Sequence, residues 1–203
     1  MSLFDLGMGR VLIEIGSYVT TASTQVYFRL AGVRFGQGLR CWGMPLVRRH
    51  RKARIVIGAR CFLRNWFSAN EMGIDHRSFL SARYPDAELL IGDDLRASGV
   101  VICAEQSVRI GNRVTVGANS TIVDSDFHPL NPNQRALDPK AGQKAGVVIG
   151  DDIFIGMNCT ILKGTEIGDN CIVGAGSVVS GQFPAGSVIA GNPAQVIREN
   201  DTA

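Results

Sequence analysis

Three histidines, at positions 50, 76 and 128, are the side chains of this 203-residue chain best suited to move a proton near neutral pH. His128 has the most suggestive setting. It closes the run Asp124-Ser-Asp126-Phe-His128, and on an extended backbone residues two apart share one face. A carboxylate beside an imidazole fixes its tautomer and raises its basicity. That is the equipment of a general base, which takes a proton from a hydroxyl or amine as it attacks an electrophile. A lone histidine is more often structural, so residue type alone leaves both roles open. His50 lies within Arg48-Arg49-His50-Arg51-Lys52 and reads as one member of a solvated basic patch. His76 falls in the irregular stretch 70–80, where a surface role is expected. Three histidines converging on zinc, as in a carbonic anhydrase, would be another chemistry, but no two of these are closely spaced. The five cysteines, at 41, 61, 103, 159 and 171, are odd in number and form no CxxC pair. They read as free thiols in a reducing compartment.

The elements that must position these groups are set by a repeat. Ile149, Ile155, Ile161, Ile167, Val173 and Val179 stand six apart, and glycine follows four of them. A six-residue unit fits one short strand plus one turn, stacked coil upon coil into a β-solenoid. The 24 glycines against 7 prolines suit many tight turns. Asp169-Asn170 belongs at a turn, where Asn tolerates the left-handed conformation. Cys159 and Cys171 share one slot of the repeat and read as small interior fillers.

Tracing the repeat outward divides the chain. It begins at Ile55-Val-Ile-Gly58 and blurs over 62–85, where a longer, less regular coil is expected. It returns at Ile91-Gly92, and Ala97 and Cys103 keep the phase. Ile110, Val116 and Ile122 run one residue out of register, which predicts a single inserted residue within 104–109, in a bulged turn. Residues 123–146, with Pro129, Pro132 and Pro139, break the period and read as a long protruding loop, a feature that often carries function. In residues 1–34, Val11, Leu12, Ile15, Val19, Val26 and Leu30 recur at helical spacing, which predicts a helical cap over the open end of the solenoid. Thr20, Thr21 and Thr24 fit that helix poorly. The solenoid then spans 35–198, and 199–203 is a tail.

The run Ile149-Gly-Asp-Asp, Ile155-Gly-Met-Asn, Ile161-Leu-Lys-Gly-Thr-Glu-Ile-Gly-Asp-Asn, Val173-Gly-Ala-Gly-Ser-Val-Val and Gly191-Asn-Pro-Ala resembles the hexapeptide-repeat acyltransferases. The likeness is strongest to the sugar O-acetyltransferase branch, with its galactoside, maltose, nodulation-factor and polysaccharide-biosynthesis enzymes, and covers about residues 88–198. The resemblance implies a mainly β fold: a left-handed, three-sided parallel β-helix, assembled as a homotrimer, with acetyl-CoA and acceptor meeting between subunits. It implies His128 as the general base, with Asp126 or Asp124 as orienting or acceptor-binding groups unless a backbone carbonyl orients the ring. Those enzymes carry Asn where this chain has Ser98, so the Ser98 hydroxyl or the Gly99 N–H is a candidate oxyanion or acceptor ligand. Glu105 falls beside an acceptor-binding carboxylate. Matched positions for acetyl-CoA are Met157, Ala175, Ser180 and Gly181, with Arg198 near the nucleotide and Lys163 offsetting phosphate charge. No metal is required.

The acceptor expected is a sugar, a nucleotide sugar or a lipid-linked glycan. An N-acetyltransferase of an amino sugar and a non-catalytic solenoid scaffold are the alternatives. The net charge of +3 calls for no nucleic-acid partner. The basic run Arg48–Arg54 reads first as a solvated edge that discourages strand pairing; it would also suit an anionic acceptor or a membrane surface. No apolar stretch reaches spanning length, and no leader peptide is evident. A cytoplasmic enzyme is the expectation.

Overall fold

The computed structural model describes residues 3–200, with side chains for 15–200. Short strands form three parallel sheets, wound as a triangular solenoid. The first sheet has seven strands, from Arg34–Phe35 to Gln182–Phe183. The second has eight, from Arg40–Trp42 to Ala194–Glu199, and the third six, from Leu46–Arg49 to Val178–Val179. The chain visits the sheets in rotation, which makes three corners. The first leads from first to second sheet, the second from second to third, and the third from third back to first.

In the C-terminal coils Ile149 pairs with Ile167, Ile155 with Val173 and Ile161 with Val179. These residues are buried and fill the interior axis, with Cys159 and Cys171 beside them. Burial pushes the thiols of Cys41 and Cys103 up to about 12 and about 11. The first corner is stitched lengthwise: Asp93, Asn112, Asp151 and Asp169 each accept, through Oδ1, a backbone N–H from the coil before (2.7–2.9 Å). Asp94, Arg113, Asp152 and Asn170 at this corner adopt positive φ.

Ile102, not Cys103, holds the interior slot. Ile102 is fully buried and pairs with Ile122, while Cys103 is only partly buried. The slip is therefore not one insertion. One residue is missing at the second corner, where Gly99 turns at φ +55°, and two are added at the third, between Ile102 and Ile110. The blurred stretch 62–85 is a longer coil, with an excursion at the second corner that includes a 3-10 turn at Phe67–Ala69.

Helix α1 (Leu3–Leu30) lies across the first coil. Its polar face meets the solenoid. Thr20 Oγ1 donates to Cys41 O (2.7 Å), Thr21 Oγ1 accepts from Cys41 N (2.9 Å), and Gln25 donates to Leu39 O (3.3 Å). Tyr27 OH accepts from Val47 N (3.1 Å). These side chains take the place of the missing preceding strand, so the threonines that fitted the helix poorly are its adhesive. The helix caps the first coil, but not through its apolar stripe: Ile15, Val19, Val26 and Leu30 are exposed, and among the described side chains of α1 Phe28 is buried in the core with Tyr27 packed partly against it. Val11 and Leu12 lie outside the described side chains. At the other end Ser187–Gly191 and Ala194–Glu199 form an antiparallel hairpin that closes the array.

Candidate active site

The long loop leaves the third corner after Thr121–Val123 and returns at Val147–Ile149. Its base is zipped: Asp126 N donates to Gln143 O (3.0 Å) and Ala145 N to Asp124 O (3.0 Å), around an antiparallel bridge of Ser125 with Lys144. A short helix α2 (Pro132–Leu137), capped by the Asn131 side chain, occupies the tip.

His128 does not sit on an extended strand. Phe127 has φ +60° and His128 N donates to Asp126 O (2.7 Å), a γ-turn of the strained positive-φ kind. The turn breaks the expected shared face of Asp124, Asp126 and His128 and sends the three side chains to different partners. Asp124 is fully buried and accepts three backbone N–H groups, from Glu105, Gln106 and Ser107 (2.6–2.7 Å). It builds the two-residue insertion of the corner instead of facing an acceptor. Asp126 Oδ2 lies 3.3 Å from Lys163 Nζ. The exposed His128 ring bonds through Nδ1 to Pro139 O, 2.5 Å away. A carbonyl only accepts, so Nδ1 carries a proton, and in the neutral ring Nε2 is the nitrogen with the lone pair. A backbone carbonyl of the loop thus orients the ring, and neither carboxylate does.

Glu105 stands beneath the loop, with its side chain 1% exposed. Arg83 donates to its Oε1 through Nε and Nη2 (3.0 and 2.5 Å), Ser125 Oγ donates to Oε2 (2.8 Å), and Lys144 Nζ lies 3.5 Å from Oε2. Lys144 also lies over the Tyr84 ring at 3.6 Å, and Arg83 sits within 5.7 Å of the Phe127 ring centre. Glu105 is therefore a brace for basic side chains, and its oxygens are buried beneath the loop. Arg48, Arg83, Tyr84 and Lys140 line a cleft of about 280 Å³ at this same corner. Neither Arg48 nor Lys140 pairs with an acid among the described residues.

The remaining candidates fall on two edges of the prism. Lys163, Ser180 and Gly181 lie at the third corner with His128, and Gly181 is open, with no atom within 4 Å of a Cβ placed there. Met157 and Ala175 lie at the second corner, a sheet's width away, so a single chain does not bring them to His128. Ser98 is 2% exposed and accepts from Asn70 Nδ2 (3.1 Å) under the excursion of the second corner. The Gly99 N–H donates to Arg64 O (2.9 Å) and is not free for an oxyanion. Arg198 lies on the closing hairpin. A groove of about 510 Å³ runs along the first sheet by Glu166, Gln182 and Phe183 and contains none of these residues. His50, His76 and His128 lie in different coils, and His50 Nδ1 accepts from Lys52 N (3.2 Å) within its own turn. Sequence reasoning missed Pro139, Gly142, Arg83 and Tyr84; Pro139 acts through its backbone, which no sequence pattern marks.

Comparison with known proteins agrees with this architecture. Residues 146–181 match a model described as bacterial transferase hexapeptide (six repeats), and 107–123 one described as hexapeptide repeat of succinyl-transferase. A relative in Escherichia coli K12, named provisionally as the lipopolysaccharide biosynthesis O-acetyl transferase WbbJ, is 31% identical over 154 residues, covering 71% of this chain and 78% of that one. Galactoside O-acetyltransferase of Lactococcus lactis is 32% identical over 147 residues, 72% of this chain and 64% of that one. A hexapeptide-repeat acetyltransferase from Vibrio cholerae superposes with TM-score 0.60 at 21% identity, over 95% of this chain and 88% of that one, and has also been solved with acetyl-CoA. The three-sided solenoid is thus a left-handed β-helix, and the chain belongs to the hexapeptide-repeat acetyltransferase family.

Proposed function

We propose that the chain transfers an acetyl group from acetyl-CoA to a hydroxyl of a sugar or polysaccharide precursor, with His128 as general base. The observation that carries this reading is the Nδ1 bond of His128 to Pro139 O, which turns a basic Nε2 outward at the rim of the long loop. Two sequence relatives named as O-acetyltransferases support the hydroxyl acceptor.

The chain offers a fit for acetyl-CoA. Ala175, Gly176, Ser180 and Gly181 are exposed turn residues, and a Cβ at either glycine would meet nothing within 4 Å. Their uncrowded backbone would hold the pantetheine arm, with Lys163 and Arg198 toward the phosphates. Acetyl-CoA supplies the acyl group as an activated thioester. His128 Nε2 takes the acceptor proton as the acceptor oxygen attacks, and the imidazolium returns it to the departing sulfur. Because Met157 and Ala175 occupy a different edge from His128, a complete site joins the second corner of one protomer to the third corner of another, as a homotrimer provides. The cleft of Arg48, Arg83, Tyr84 and Lys140 favours an acceptor that carries anionic groups, such as a nucleotide sugar or a lipid-linked glycan.

The test is acetyl-CoA consumption with panels of sugars, amino sugars and glycan precursors. His128→Ala should fold and assemble as the parent does and lose about 10²–10⁴-fold in turnover. Undiminished turnover removes His128 as the base, a preference for amine acceptors replaces O- with N-acetylation, and inactivity with every acyl-CoA favours the scaffold.

A further inference from the structure

A helix that closes the end of a solenoid ordinarily buries its apolar stripe. Helix α1 reverses this. Ser17, Thr20, Thr21 and Thr24 face the coil, while Ile15, Tyr18, Val19, Val26 and Leu30 point outward, between 55% and 84% exposed. The stripe continues past the helix. The Trp66 ring packs on Gly16, and Trp66 and Phe67 are 41% and 74% exposed.

The charge around this stripe is one-sided. Between Ile15 and Asn70 the chain has ten Lys and Arg and no Asp or Glu; from Glu71 onward it has ten Lys and Arg against sixteen Asp and Glu. The small net charge of +3 thus conceals a strong separation along the solenoid axis. Arg54 and Arg60 are answered by acids of the next coil, and Arg49 is spent on the carbonyls of Ala31 and Ala53. Arg29, Arg34, Arg40, Arg51 and Lys52 pair with no acid among the described residues.

We infer that the helix-capped end of the solenoid docks on an anionic lipid surface. Helix α1 lies in the interface with its apolar stripe at the boundary of headgroups and acyl chains, and the surrounding cations meet lipid phosphates. A second copy would oppose one cationic end to another, and residues 15–70 supply no acid to answer it. Among the described residues no helix is long and apolar enough to cross a membrane, so the contact is peripheral. Docking does not depend on the acceptor proposed above. If that reading also holds, the third corner carries His128 three coils beyond the first, about 15 Å at the spacing of parallel strands, with the thickness of helix α1, about 10 Å, between that coil and the lipid.

The experiment is co-sedimentation of the full chain with vesicles of phosphatidylcholine alone and of phosphatidylcholine with phosphatidylglycerol. Binding should need the anionic lipid and weaken as salt shortens the Debye length. Val19→Glu with Val26→Glu, and separately Arg34→Glu, Arg40→Glu, Arg51→Glu and Lys52→Glu together, should each lower partitioning by at least about 100-fold. Circular-dichroism melting and light scattering check that fold and oligomeric state persist. Absence of binding, equal binding to neutral vesicles, or undiminished binding by both variants overturns the inference. So does a change of oligomeric state in Val19→Glu/Val26→Glu, which would make the stripe a contact between copies.

Discussion

Gly142 lies against the peptide that joins Phe127 to His128, so that a methyl group on its Cα would stand 2.7 Å from His128 N. The obstructing atoms are backbone and belong to the γ-turn that aims the imidazole, so they cannot yield as a flexible side chain would. Gly142→Ala is expected to displace the His128 ring and lower kcat about 10–100-fold, the range for a shift of an ångström or less at a catalytic group. Thermal unfolding should change little, because the loop is peripheral to the core. A kcat within twofold of the parent would show that the loop absorbs the methyl elsewhere.

The solenoid was legible because its interior admits one type of side chain at each slot, and six-residue spacing records that directly. Three things escaped. Cys103 and Ile102 are adjacent and both fit a narrow slot, so the interior position could not be told from residue type. The threonines of α1 were legible only as poor helix formers, because what they satisfy, the bare edge of Arg40–Trp42, is invisible until the coil is closed. The Asp-x-Asp-x-His spacing promised a shared face, yet Phe127 at φ +60° breaks the alternation. A positive φ at an aromatic residue is a tertiary outcome, imposed here by the zipped loop base and by Gly142, and nothing in the local sequence announces it.

Asp124 is expected to behave as a structural residue. Its two oxygens accept three backbone N–H groups in a site without solvent access. Asp124→Asn turns an amide N–H toward one of these donors and leaves at least one of them unsatisfied. The cost should be about 2–4 kcal/mol, read from urea midpoints. A loss of activity at unchanged stability would instead place Asp124 among the acceptor ligands.

The adhesive role of α1 can be tested at Thr21. Thr21→Val is nearly isosteric and keeps the branched side chain, but it deprives the Cys41 N–H of its acceptor. Destabilisation of about 1–2 kcal/mol is expected, together with faster hydrogen exchange at Cys41. Ser23→Val, at an exposed position of the same helix, should cost only a few tenths of a kcal/mol. Equal effects at both kinds of site would reduce the threonines to helix propensity.

Asp151 provides a pH signature for the stitched first corner. The Asn112 backbone N–H, then the Asn112 amide and Arg113, hold its carboxyl below the usual carboxylate range. A carboxyl depressed in the folded state contributes stability that is fully present above its unfolded value, about 3.9, and is lost as pH falls through the folded value. Asp151→Asn keeps Oδ1 as acceptor for the Asn112 N–H but loses both the charge and the Oδ2 acceptor of Asn112 and Arg113, so the pH-dependent part of the difference reports the ionised carboxylate. Wild type and variant should differ in urea midpoint by a constant amount between about pH 5 and 7. The difference should shrink below about pH 4 and vanish once the wild-type carboxyl is protonated. The carboxyl is substantially exposed, so the constant difference should be small and should fall with added salt. A difference that persists undiminished at pH 3 would mean that Asp151 acts through its shape and not through its charge.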